Sequence, residues 1–365
     1  MQKQGFYNRI FLLIVALQLV IPQIAKSQQS LSASYNYGKI LIHSPAIEPL
    51  IKGPSHGFTI TYAVPNSWGE QWRLFYNFPN YGFTFNYKSY GNPDVLGDSY
   101  SMTSFLQLSF LKKHRVFDLG FKGFAGFGYF TKTYDAEINP SNKAISAHLN
   151  ISAEARLYTK VRIEPFYFEY SYGLNHFSNG LIKAPNLGIN LLNNNFALGY
   201  EFEGQLKKDK AALPEKPKLI KNEFWGFVST GFKEVDGQDK KYMFSSFSVN
   251  YSKQISVINK MGLGIDFLND PSLTSLAYQE YHYLGESDLD FRYGINFHNE
   301  FMMGPTGLFM AYGFYFRESE YYVSRGYYKA GFKFYFRDFF GIALIRAIPL
   351  FRADVVEFGI GYRIK

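Results

Sequence analysis

The chain has 365 residues, no cysteine and a formal charge of +8, from 38 Lys and Arg against 30 Asp and Glu. The lack of cysteine excludes a fold held by disulfides, and basic residues scattered along the chain rather than gathered in a stripe argue against a nucleic-acid partner. Aromatic residues make up 19% beside 32 glycines, yet the mean hydropathy is only -0.17, so the apolar residues must be interleaved with polar ones.

The first residues, basic at Lys3 and Arg9, lead into an apolar run from Ile10 to Ile21 and then Ala25-Lys26-Ser27. The run is shorter than the ~20 residues of a spanning helix and precedes a small-residue site, the pattern of a secretory signal over 1–27. Beyond it, alternation predicts strands near 31–42, 55–65, 71–78, 80–90, 98–112, 114–132, 144–160, 161–178 and 186–202. Between 145 and 157, Ile145, Ala147, Leu149, Ile151, Ala153, Ala155 and Leu157 form an apolar face, and Ser146, His148, Asn150, Ser152, Glu154 and Arg156 a polar one. Closed bacterial barrels have even strand counts, so 71–90 must be a single strand or hold a loop excursion, leaving about eight strands.

A Lys-rich stretch, 203–222, carries Pro214 and Pro217 and has no alternation; it reads as a linker or periplasmic loop between a first region, 28–203, and a second set of strands, 223–365. Further strands are predicted at 223–233, 241–254, 287–299, 305–316 and 322–336, and the last carries Val356, Phe358, Ile360, Tyr362 and Ile364 on one face. A soluble sandwich would alternate in the same way. Strand length and the Tyr and Phe near strand ends favour an all-β, antiparallel transmembrane barrel of the outer membrane. Two small barrels in tandem and one barrel of roughly 12 to 16 strands both fit this pattern.

One stretch departs from its surroundings: "NHFSNGLIKAPNLGIN", residues 175–190. On the strand before it the even positions are Phe166, Phe168, Tyr170, Tyr172, Leu174, His176 and Ser178, so the apolar face that should meet lipid ends in a histidine and a serine. On the strand after it the face of Phe196, Leu198 and Tyr200 also carries Asn186, Asn190 and Asn194. A His and a Ser two apart on one strand face can pair a general base with a hydroxyl nucleophile, and nearby amides can hold an oxyanion.

The run H-x-S-N-G followed by P-N-x-G-x-N resembles the lipid A 3-O-deacylase family, PagL, of acyloxyacyl hydrolase-like outer-membrane barrels. The likeness covers roughly 28–202, with the motif in the last hairpin. It implies that Ser178 is the nucleophile, His176 its base and Asn186 an oxyanion donor, with Asn179, Gly180 and Gly188 in support. The family's glutamate falls on Asn190, which can orient the imidazole but not stabilise its positive charge. Glu164 shares the face of His176 but sits at the far end of the strand. The resemblance implies a serine esterase acting on lipid A or lipopolysaccharide in the outer leaflet, with no metal or cofactor and no nucleic acid, and it allows a homodimer. The competing expectation is a non-catalytic barrel, a channel or structural protein that keeps the motif as scaffold. A fainter echo around His298, in 295–310, lacks the serine.

Overall fold

A computed structural model describes residues 29–65, 70–111, 116–202, 222–238, 240–281, 290–316, 324–348 and 352–364. The signal segment 1–27 and the linker residues 204–221 lie outside the described residues. The first barrel consists of β1 Ser30–Ile40, β2 Ser55–Pro65, β3 Asn80–Ser89, β4 Asp98–Ser109, β5 Phe117–Phe130, β6 Leu149–Ile163, β7 Phe166–Ser178 and β8 Ile189–Glu201. The second consists of β9 Asn222–Glu234, β10 Lys241–Ser256, β11 Asn259–Asn269, β12 Phe291–Met303, β13 Thr306–Tyr315, β14 Gly326–Phe336, β15 Phe339–Ile348 and β16 Arg352–Ile364. Each is a closed antiparallel ring in which β8 pairs with β1, and β16 with β9. The chain is thus two barrels of eight strands rather than one larger ring.

The period of two sorts the side chains. Along β7 the even residues Phe166, Phe168, Tyr170, Tyr172 and Leu174 are exposed, while the odd residues Tyr167, Glu169, Ser171 and Asn175 are buried in the interior. Along β16, Phe358, Ile360, Tyr362 and Ile364 are exposed and Glu357 is buried. A soluble sandwich would turn this apolar face inward; here it forms the outer wall of both rings.

An eight-stranded ring leaves room only for side chains, and charges placed there need partners. In the first barrel Arg156 grips Glu154 at 2.7 Å and Lys88 donates to Asn175 Oδ1 at 2.7 Å. In the second, Asp266 accepts from both Lys329 at 2.7 Å and Ser248 at 2.6 Å, Arg346 holds Glu357 at 2.8 Å, and Lys333 holds Glu300 at 3.1 Å while lying over the Trp225 ring.

We call the end where β7 stops and β8 starts the upper rim. There the segments 41–54, 90–97, 131–148 and 179–188 fold over the first barrel and bury Ile47, Leu50, Tyr90, Ile145 and Leu191 in an apolar cap. This corrects one expectation, the strand start at 144. Strand β6 begins at Leu149, because Ile145, fully buried, belongs to the cap. The 71–90 region holds one strand, as the even count requires: 71–78 falls on a short helix, α1 Glu70–Phe75, and the turn after it, at the lower rim. A second helix, α2 Ser272–Tyr281, follows β11. The two barrels stand side by side with like rims together. At the upper rim Glu234 N–H donates to Leu181 O at 2.8 Å, and at the lower rim Gly304 faces Trp72.

Candidate active site

The register of β7 against β8 sets His176 opposite Asn190. Their side chains meet on the outer wall, His176 Nδ1 to Asn190 Oδ1 at 2.7 Å. An amide oxygen only accepts, so Nδ1 carries the proton and Nε2 keeps a free lone pair, the tautomer a general base needs. His176 is half-buried on the face that carries Leu174.

Two residues on, Ser178 ends the strand. Its Oγ accepts from the Gly180 N–H at 3.0 Å and from Asn186 Nδ2 at 2.7 Å. Asn186 is in the turn before β8 rather than on the strand, so its place beside Ser178 comes from the turn and not from strand parity. The turn closes so tightly because Gly180 and Gly188 adopt φ of 64° and 74°, the left-handed region that glycine enters without steric cost. Gly188 has a second reason to lack a side chain: a Cβ there would stand 2.9 Å from His176 Cε1 and 3.5 Å from Ser178 Cβ. Among the described residues no hydrogen bond joins His176 to Ser178. Both lie against the position that a side chain on residue 188 would occupy.

Asn179 does a different task. It is buried, with Nδ2 donating to Ser146 Oγ at 2.9 Å and to Lys183 O at 3.1 Å. The return arm of the turn is tied to the same neighbouring segment by Leu187 N–H to Lys143 O at 3.1 Å and Gly188 N–H to Ala144 O at 2.9 Å. His43, from the β1–β2 connection, reaches Leu187 O with Nε2 at 3.0 Å. Sequence reasoning missed Ser146, Lys143 and His43, and also Glu234 and Val356 of the second barrel, which touch the turn. None is near the motif in sequence, so no local pattern could have found them.

His298 is held inside the second barrel, with Nε2 on Ser252 Oγ at 2.8 Å and Nδ1 on Asn296 Oδ1 at 3.1 Å, all three buried. A serine, a histidine and an asparagine do meet there, but Trp225 Nε1–H donates to the same Ser252 oxygen at 2.7 Å and no substrate face is open. Among the described residues no three His, Asp or Glu side chains gather as a metal cage.

Residues 56–200 match the model of the lipid A 3-O-deacylase (PagL) family, and residues 222–365 match that of the acyloxyacyl hydrolase C-terminal domain. No curated protein matches the chain. Solved structures similar in part include CdiB from Acinetobacter baumannii, 12% identical over 92% of this chain and 60% of that one, with a TM-score of 0.20. A mutant Rh. blastica porin is 6% identical over 92% and 99%, with a TM-score of 0.20, and the copper transporter OprC 9% identical over 88% and 54%, with a TM-score of 0.22. The two family matches fall one on each barrel and together run from 56 to 365: the chain belongs to the lipid A 3-O-deacylase family, PagL.

Proposed function

We propose that the protein is an outer-membrane esterase that hydrolyses the ester-linked 3-hydroxyacyl chain of lipid A. The observation that carries this reading is the outward-facing pair His176 and Asn190, 2.7 Å apart, with Ser178 on the same strand face beneath two converging donors. A mature N-terminus in the periplasm sets the upper rim at the outer leaflet, so the site meets the headgroups of a substrate that never leaves the bilayer. The exposed wall of Tyr172, Leu174 and Phe168 below it offers acyl chains an apolar surface.

In this mechanism Ser178 turns its hydroxyl toward His176 as the ester enters; such bonds commonly tighten only with substrate bound. Nε2 takes the Oγ proton, and Oγ attacks the ester carbonyl carbon. Gly180 N–H and Asn186 Nδ2, released from Oγ, donate to the oxyanion. Collapse expels the sugar hydroxyl, which leaves with the proton from Nε2. Water, deprotonated by the same nitrogen, then cleaves the acyl-serine and frees a 3-hydroxy acid. Asn190 keeps the imidazole in its tautomer but lends no negative charge to the imidazolium.

The substitution of the family's glutamate by Asn190 favours a second reading, a barrel that keeps the motif without turnover. Purified protein mixed with lipid A in H2(18)O separates them. The esterase releases a 3-hydroxy acid with (18)O in its carboxyl group. No release, or equal release by Ser178→Ala, removes the esterase reading.

A further inference from the structure

We propose that the second barrel is a positioning element for this site, holding the 179–188 turn so that Gly180 and Asn186 stay aimed at the reacting oxygen. The proposal rests on the esterase reading above. It starts from Glu234, at the upper end of β9, which grips the turn twice. Its N–H donates to Leu181 O at 2.8 Å, and its Oε2 accepts from the Ala184 N–H at 3.1 Å. The gripped residues lie between the two donors to Ser178 Oγ, so the clamp sets one donor relative to the other.

Val356 supplies the second contact. It lies on the outward face of β16, where Phe358 and Ile360 are 59% and 71% exposed, yet it is only 4% exposed itself. The cover is Gly180: a Cβ built there would collide with Val356 Cγ2 and stand 3.5 Å from its Cβ. A barrel wall thus backs the very residue whose N–H reaches Ser178. Apolar contact and two hydrogen bonds to one short turn give rigid placement, and small misplacements of catalytic donors are costly. Glu234 touches no reacting atom, so its role is positioning.

Three full-length variants test this in membranes, with heat-modified gel mobility as the check on folding. Glu234→Ala removes the acceptor for Ala184 and should lower kcat by about 10- to 100-fold with KM unchanged. Glu234→Gln keeps an acceptor oxygen and should stay close to the native rate. The chain has no cysteine, and a Gly180→Cys, Val356→Cys pair has a Cβ separation suited to a disulfide, so it should cross-link on oxidation whether or not the protein is active. Native kcat in a folded Glu234→Ala, equal losses in Ala and Gln, or no cross-link overturns the positioning role. With Ser178→Ala inactive in the same assay, those failures leave the esterase reading standing. Full activity in Ser178→Ala sinks that reading and the positioning role with it.

Discussion

Asn190 accepts one hydrogen bond from His176 Nδ1 and so fixes the imidazole tautomer. What it lacks is charge. A glutamate there would keep the acceptor and add a charge-assisted hydrogen bond to the imidazolium that forms as Ser178 is deprotonated, worth about 1.4 kcal/mol more than a neutral one, or about tenfold in rate. Asn190→Glu should therefore raise the rate of lipid A deacylation by about tenfold, and an unchanged or lower rate would show that the carboxylate cannot take the place of the amide. His176, Ser178 and Asn190 were legible in the sequence because each lies on a regular strand, where parity alone fixes the face. Asn186 was legible only as part of a motif. Its contact with Ser178 depends on a turn with two left-handed glycines, and parity says nothing about a turn.

At the scale of elements, the β7–β8 hairpin carries Ser178, His176 and Asn190, the proposed nucleophile, base and orienting residue, and its turn carries the two donors to Ser178 Oγ. Gly188 is where turn and strand meet. A methyl there would press on His176 Cε1 at 2.9 Å and Phe177 O at 2.8 Å, so Gly188→Ala should displace the imidazole and lower kcat by about 10^2. The barrel should still fold, since β7 and β8 pair along their full length below the turn; near-native kinetics would argue against the imidazole's role. Strand alternation is legible in the sequence, but the strand ends are not. Alternation runs on through Ile145 into the cap, because the cap and the wall both want apolar residues and composition cannot tell which takes them. Trp72, Leu74, Tyr76 and Phe78 alternate by position as a strand would, yet they fall on helix α1 and the turn after it, the excursion that leaves 71–90 a single strand.

Across the whole molecule, what the sequence left open was closure. Alternation marks each strand without naming its partner, and the pairs that close the rings, β1 with β8 and β9 with β16, join residues far apart in the chain. Once closed at eight strands, both interiors are filled by ion pairs and aromatic rings, such as Arg156 with Glu154 in the first and Arg346 with Glu357 and Lys333 over Trp225 in the second. A channel is therefore a poor account of either barrel, and purified protein in a planar bilayer should give no stepwise ion conductance; steady single-channel steps would contradict that packing. Ester hydrolysis at the upper rim is tested most directly in cells. Lipid A extracted from cells expressing the native protein should, by mass spectrometry, have lost the mass of one 3-hydroxyacyl chain, while lipid A from cells expressing Ser178→Ala keeps it. Identical spectra from the two, with both proteins folded in the outer membrane, would contradict the account.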